Sequence, residues 1–172
     1  MIRGAGRRWS ERVQAEISQC ACCIAATFIR PALRAPRGTV GTGAEDCSFL
    51  LICFCIATVP ERMSYDVKEI TVKAGKRIKL TFANPDLRQH NILLVHPGKA
   101  DDVAAKVLAL GAQGFDKQWI PESADIIWAS KLLDHSKDQV IEFTAPEKPG
   151  DYPYVCSFPG HHVVMRGVLK VK

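Results

Sequence analysis

A chain of 172 residues, 47% apolar and 24% charged, has the size and mix of one globular domain and hardly of two. Its net charge of +5 is unevenly spread: residues 1–62 hold eight Arg, no Lys and five acids, whereas 63–172 hold twelve Lys, three Arg and thirteen acids. The second part therefore has a mixed-sign surface with no basic block, which argues against nucleic acid or an anionic membrane as its main partner.

Residues 1–62 read as a leader and not as a packed domain, because Gly and Pro are scattered and no hydrophobic period is sustained. Arg3, Arg7, Arg8 and Arg12 precede two apolar runs, 20–29 and 49–59, each shorter than the roughly 18–20 residues of a membrane-spanning helix. The second run has the length of a signal-peptide core, and Cys55 with Ala57 would supply a small-residue cleavage site. Three other readings stay open. Arg7-Arg8-Trp9-Ser10 is a faint echo of a twin-arginine signal, Cys53 is a weak candidate for lipid attachment, and a start near Val40 would leave out the Arg-rich prefix. The expectation is an exported, periplasmic protein whose domain spans 63–172, with the boundary between Pro60 and Met63. Six of the seven cysteines (Cys20, Cys22, Cys23, Cys47, Cys53 and Cys55) fall upstream of it. The downstream part holds Cys156 alone, so it has no internal disulfide.

From Tyr65 onward the pattern changes to short β-branched runs cut by turn signals. Residues 67–72 alternate between two faces, and Ala74-Gly75-Lys76 turns the chain. Residues 78–82 form a second run, closed by Asn84-Pro85-Asp86, which favours a turn. Residues 91–95 form a third, closed by His96-Pro97-Gly98. The β rhythm then breaks. Asp101 or Asp102 is placed to cap a helix, Val103, Lys106, Val107 and Leu110 recur at helical spacing, and Gly111 ends it. Residues 126–133, 139–143, 151–156 and 167–171 supply four more strands. Seven or eight short strands with one inserted helix predict an all-β, Greek-key sandwich.

Most lone cysteines are small buried hydrophobes. The neighbours of Cys156 suggest more. Cys156-Ser157-Phe158-Pro159-Gly160-His161-His162-Val163-Val164-Met165 puts a thiol, imidazoles and a thioether in one loop between two predicted strands, and Gln89-His90-Asn91 opens another strand upstream. Two imidazoles and one thiolate with a long axial Met form the ligand set of a blue copper electron-transfer site. Soft sulfur suits Cu(I) and imidazole also suits Cu(II), so one geometry serves both states. Pro159 and Gly160 would turn the chain back so that a histidine meets Cys156. Asn91 would tie the His90 loop to the Cys156–Ser157 loop. The residues alone leave His161 and His162 both available.

With these residues in view, 63–172 resembles the cupredoxins, and within them the azurins. The resemblance rests on CSFPGHHVVM with its C-x4-H-x3-M spacing, the following Arg166-Gly167, the QHN segment, and a helical excursion continuing through Gly114-Phe115-Asp116-Lys117 and Ile120-Pro121. It implies a monomeric carrier of single electrons that cycles one copper ion between Cu(I) and Cu(II) and is not an enzyme. It further implies His90, Cys156 and His161 as equatorial ligands, with Met165 axial. The Gln89 carbonyl takes the place of an azurin glycine carbonyl near the metal, as a weak further contact. Phe158, Pro159, Val163 and Val164 would form an apolar rim where redox partners dock, a haem protein or a dehydrogenase or oxidase. The disulfide familiar in azurins has no counterpart here.

Other functions fit less well. A multicopper oxidase or copper nitrite reductase needs histidines for a second centre, and only His96, His135 and His162 remain, with no H-x-H pair. A zinc or copper-storage site would accept two His and one Cys but leaves Met165 without a use. A relay module detached from a larger redox protein would carry the same residues as a free carrier. His96 and His135 are expected at the surface, and Trp119 and Trp128 in packing roles.

Overall fold

The computed structural model describes residues 51–172. Strands β1 (Ile52–Ala57), β3 (Arg77–Asn84) and β6 (Lys137–Thr144) form one sheet in the order β1-β3-β6. Strands β2 (Glu69–Val72), β4 (Leu93–Val95), β5 (Ile126–Ala129), β7 (Gly150–Val155) and β8 (Arg166–Val171) form the other, in the order β2-β8-β7-β4-β5. The β1/β3 and β2/β8 pairs are parallel and the rest antiparallel. With neighbours so far apart in the chain, this is the expected Greek-key sandwich.

Period-two patterning decides which face is buried. In β3, Ile78, Leu80 and Phe82 turn inward while Lys79 and Thr81 are half-buried on the opposite face. Ile70 and Val72 of β2, and Leu169 and Val171 of β8, meet them in the shared core with Tyr65 and Tyr154. Gly167 is needed where it stands, since a Cβ there would overlap the Tyr154 ring. That ring is fixed by its hydroxyl, which donates to the Val67 carbonyl at 2.8 Å.

Helix α1 (Ala100–Ala109) covers the outer face of the second sheet, with Ala100, Val103 and Val107 packed on Leu93, Val95 and Val155. Strand β4 is thus buried on both faces, which is why residues 92–95 are apolar without alternation. The helix start differs from the expected side-chain cap. Lys99 occupies the cap position with no side-chain capping bond, and Asp101 and Asp102 lie in the first turn. There they complement the helix dipole and pair with Arg166 (2.7 Å) and Lys99 (2.8 Å).

Strand β1 lies upstream of the expected domain boundary. Within the run 49–59, taken as a leader core, residues 52–57 form β1, which pairs with β3 from Ile52↔Ile78 to Ala57↔Ala83. Ile56 and Ala57 are buried, and the Ala57 amide donates to Asp66 Oδ1 at 2.8 Å. Cleavage at Ala57 would remove an edge strand whose Phe54 and Ile56 pack against the core. An apolar run of this length carries no periodicity that separates a signal core from a strand, and only its pairing decides. The basic start, the run 20–29 and the alternative start at Val40 lie outside the described residues.

A chain beginning at Met63 should therefore be less stable than one beginning at Leu51 by roughly 3 kcal/mol or more, given about 1.5–3 kcal/mol for each large apolar side chain buried. Chemical denaturation of the two chains checks this, and equal midpoints would put β1 outside the cooperative unit.

Candidate metal centre

Sheet order brings the predicted ligands together. β4 and β7 are antiparallel neighbours paired at Leu93↔Val155, so the start of β4 lies beside the end of β7. His90 and Asn91 come just before β4, and Cys156 comes just after β7. β8 pairs back on β7 at Val155↔Arg166, which places Met165 at the same end of the sheet. Four residues spread over 76 positions of sequence thus share one corner.

The loop between Cys156 and Met165 closes on itself. Pro159 and Gly160 (φ 81°) occupy the middle of a turn sealed by the His161 amide on the Phe158 carbonyl at 3.0 Å, the residue signature of a type II turn. A single turn of 3-10 helix, His161–Val163, follows. The Met165 amide then donates to the His161 carbonyl (2.8 Å) and the Cys156 amide to the Met165 carbonyl (3.1 Å). On the other side, His90 is bracketed by its own amide on the Leu133 carbonyl (3.2 Å) and by the Leu133 amide on its carbonyl (2.8 Å).

The expected brace is present. Asn91 Nδ2 donates to Ser157 Oγ at 2.7 Å, and the Ser157 amide donates to Asn91 Oδ1 at 2.8 Å, both buried. Asn91 Nδ2 also reaches the Gln118 carbonyl at 3.2 Å, and Tyr65 donates its hydroxyl to the Asn91 carbonyl at 2.7 Å. Gln118 and Trp119 both have left-handed backbones, φ 53° and 57°, each costing about 1–2 kcal/mol for a side-chain-bearing residue. The Trp119 amide on the Gly114 carbonyl (2.7 Å) helps hold that conformation.

At the corner, His90 Nδ1 lies 3.8 Å and His161 Nδ1 3.7 Å from Cys156 Sγ, and the donor atoms of the three residues all lie within 4.8 Å of one another. An ion about 2.3 Å from sulfur and about 2.05 Å from nitrogen would hold S and N roughly 3.8 Å apart in a trigonal set and roughly 3.6 Å apart in a tetrahedral one. The separations and the donor chemistry both fit a copper ion. Cys156 and His90 are fully buried, His161 is 6% exposed, and Met165 is fully buried. His162 is half-buried outside the cluster and gives its carbonyl to Arg166 Nε. The Gln89 side chain reaches out to Asp134 Oδ1 at 2.7 Å.

Without metal, all three donors are neutral near pH 7. Burial pushes the Cys156 thiol up to about 11, against backbone hydrogen bonds from Asn91 and Phe158. Burial also holds His161 down to about 4, with the neighbouring His90 adding to the effect. It lowers His90 too, against the opposing pull of Asp86. Metal uptake must therefore displace the thiol proton.

The copper-binding plastocyanin/azurin family matches residues 55–172. The chain belongs to that family. Auracyanin-A of Chloroflexus aurantiacus is 34% identical over 119 residues, covering 67% of this chain and 72% of the relative. Azurin-1 of Alcaligenes xylosoxydans xylosoxydans is 31% identical over 118 residues, covering 63% and 89%. The solved structure of auracyanin A, described as a "blue" copper protein, aligns with TM-score 0.64 at 32% identity over 71% of this chain and 99% of that one. Family and donor cluster together imply one copper ion and an electron-transfer cupredoxin, not an enzyme. Among the described residues no helix is long and apolar enough to cross a membrane.

Around this cupredoxin site, His96 is exposed as expected, while His135 is half-buried with Nδ1 3.1 Å from the Asp86 carbonyl. Trp119 packs edge-on to Phe158 (6.1 Å) and Trp128 against Phe143 (4.9 Å). Phe115, 64% exposed and in edge contact with Trp119, was not among the expected surface residues. Asp86, Asn84 and Thr58 were also missed. Asn84-Pro85-Asp86 reads as turn chemistry, and the four-residue step from Asp86 to His90 was the only mark of their link to the site.

The lowered histidines set the sign of an acid effect on the metal-free protein. Below 6.5 the unfolded imidazoles take up protons, whereas folded His161 resists until about 4, so stability falls as pH drops through that window. The melting temperature of metal-free protein should decline from pH 6.5 downward, and His161→Gln should flatten the decline above about pH 5, where carboxylates are still ionised. An equal slope in the variant would assign the decline to other groups.

Proposed function

We propose that His90, Cys156 and His161 are the equatorial ligands of the copper ion and Met165 its long axial ligand, and that the chain carries single electrons between redox partner proteins. The observation that carries this reading is the convergence of three buried donors, one sulfur and two nitrogens, at separations matching a trigonal set. The copper ion supplies the one-electron Cu(I)/Cu(II) couple. The chain supplies a fixed, water-poor frame. Cys156 offers soft sulfur, His90 and His161 offer imidazole Nδ1, and the Asn91–Ser157 hydrogen bonds keep the two ligand loops from moving apart. A frame that does not rearrange between oxidation states keeps the cost of electron exchange low.

His161 lies beside Phe158, ring centroids 4.8 Å apart. Val163 and Val164 in the same loop are 64% and 54% exposed, and Phe158 and Pro159 are half-buried. This apolar rim supports docking of a partner protein over His161, a haem protein or a dehydrogenase or oxidase by chemical class. The Arg-rich start and its apolar run support export of the mature domain. The pairing of β1 with β3 implies that any processing leaves β1 in place.

Adding Cu(II) to the metal-free full-length chain should give an intense blue band and unusually small copper hyperfine splitting, both lost in Cys156→Ser. A pale product with ordinary hyperfine splitting would instead favour zinc binding or a structural thiol. Met165→Leu should keep copper and raise the reduction potential, because losing a weak sulfur donor disfavours Cu(II). An unchanged potential in protein-film voltammetry would remove Met165 from the axial place.

A further inference from the structure

Asp86 is a buried carboxylate, 3% exposed, and among the described residues it forms no ion pair with Lys or Arg. Its backbone is firmly held. The Asp86 amide donates to Asn84 Oδ1 (3.2 Å) and Thr58 Oγ1 (3.3 Å), and the Thr58 hydroxyl donates to Asn84 Oδ1 (2.8 Å). Asn84 Nδ2 in turn donates to the carbonyls of Arg88 and Leu133, each at 2.8 Å. Leu133 is the residue that brackets His90. One carboxylate oxygen, Oδ1, accepts the Arg88 amide at 3.2 Å. The other, Oδ2, has no hydrogen-bond partner and faces His90 Nε2 at 3.5 Å, and that nitrogen is also buried and without one.

Unsatisfied buried polar atoms are uncommon, and each costs about 1–3 kcal/mol. Here two such atoms face each other. The imidazole settles the direction of the bond between them. His90 Nδ1 points at Cys156 Sγ. If Nδ1 gives its lone pair to the ion, the ring proton must be on Nε2, and Nε2 points at the carboxylate. A shift of a few tenths of an ångström makes the contact a charge-assisted hydrogen bond. His161 differs, since its ring packs against Phe158.

We propose that Asp86 is a positioning residue for the copper site: its carboxylate accepts the Nε2 proton of His90, fixes the ring's tautomer and orientation, and biases the site toward Cu(II). This rests on the copper reading above and adds a residue to it. A carboxylate on the far nitrogen makes an imidazole a stronger donor, and its negative charge acts through a poorly screened interior. Both effects favour the ion of higher charge. Thr58 and Asn84, at the ends of β1 and β3, hold the carboxylate in place, so the first strand of the domain helps set the electronic character of a ligand it does not touch.

The test uses full-length copper protein. Asp86→Asn keeps the side chain's shape and removes its charge, and should weaken Cu(II) relative to Cu(I) about tenfold or more, a rise of about 59 mV per factor of ten for one electron. Its type 1 EPR signal should remain. A merely structural role would lower the melting temperature and leave the potential where it was. The reduced, unsubstituted protein gives a second readout without mutation: the His90 Nε2 proton should appear in its NMR spectrum as a downfield, slowly exchanging resonance. An unchanged potential in Asp86→Asn with the type 1 signal retained overturns the proposal. If that variant does not fold, a rapidly exchanging His90 Nε2 proton in the unsubstituted protein overturns it instead. Absence of a blue site in the unsubstituted protein removes the copper reading itself, and this proposal with it.

Discussion

Two hydrogen bonds between the Asn91 amide and Ser157 join loops 66 residues apart in the chain. The rest of the site depends on them. His90 precedes one partner and Cys156 the other, so the clamp holds the imidazole-bearing and thiol-bearing segments side by side. Both bonds are buried, where competition from water is weak and breaking either strands a polar group. The Tyr65 hydroxyl on the Asn91 carbonyl and the Gln118 carbonyl on the Asn91 amide extend the clamp to two further segments.

The sandwich supplies the frame in which such a clamp can work. Neighbouring antiparallel strands β4 and β7 bring the start of one to the end of the other, and β8 returns beside β7. Candidate donors on both sides of a strand pair thus gather at one corner with no special path for the backbone. Helix α1 seals β4 from outside while the inner core seals it from within. The loops at that corner are therefore mounted on strands that have little room to shift.

Burial of the donors has an electrostatic cost, which the protein carries in neutral form. A thiol pushed up to about 11 and a histidine held down to about 4 are both states of low charge in a water-poor place. A metal ion bound there would supply positive charge and displace the thiol proton. On the far side of His90 lies the buried Asp86 carboxylate, its Oδ2 3.5 Å from the ring's Nε2.

Much of this was legible in the amino-acid order. Short β-branched runs cut by turn signals marked most of the strands, Pro159-Gly160 marked the turn, and the residues around Cys156 and His90 marked the three donors that converge. These are local signals, because side-chain direction and turn geometry are set within a few residues. Three features were decided by tertiary structure alone. The run containing β1 was indistinguishable from a leader core until it paired with β3, since apolar character does not say what buries it. Lys99, Asp101 and Asp102 took up ion pairs at the helix start in place of a side-chain cap, one of them with an Arg far along the chain. Asp86, plain turn chemistry by sequence, became a buried carboxylate facing His90, its loop held by Asn84 at the end of β3 and by Thr58 just past β1. The sequence determined the sandwich, the turn and the donor set. Which polar groups are sealed from water, and which of them face one another, was left to the packing of distant segments, because burial and facing are properties of assembled surfaces and not of local order.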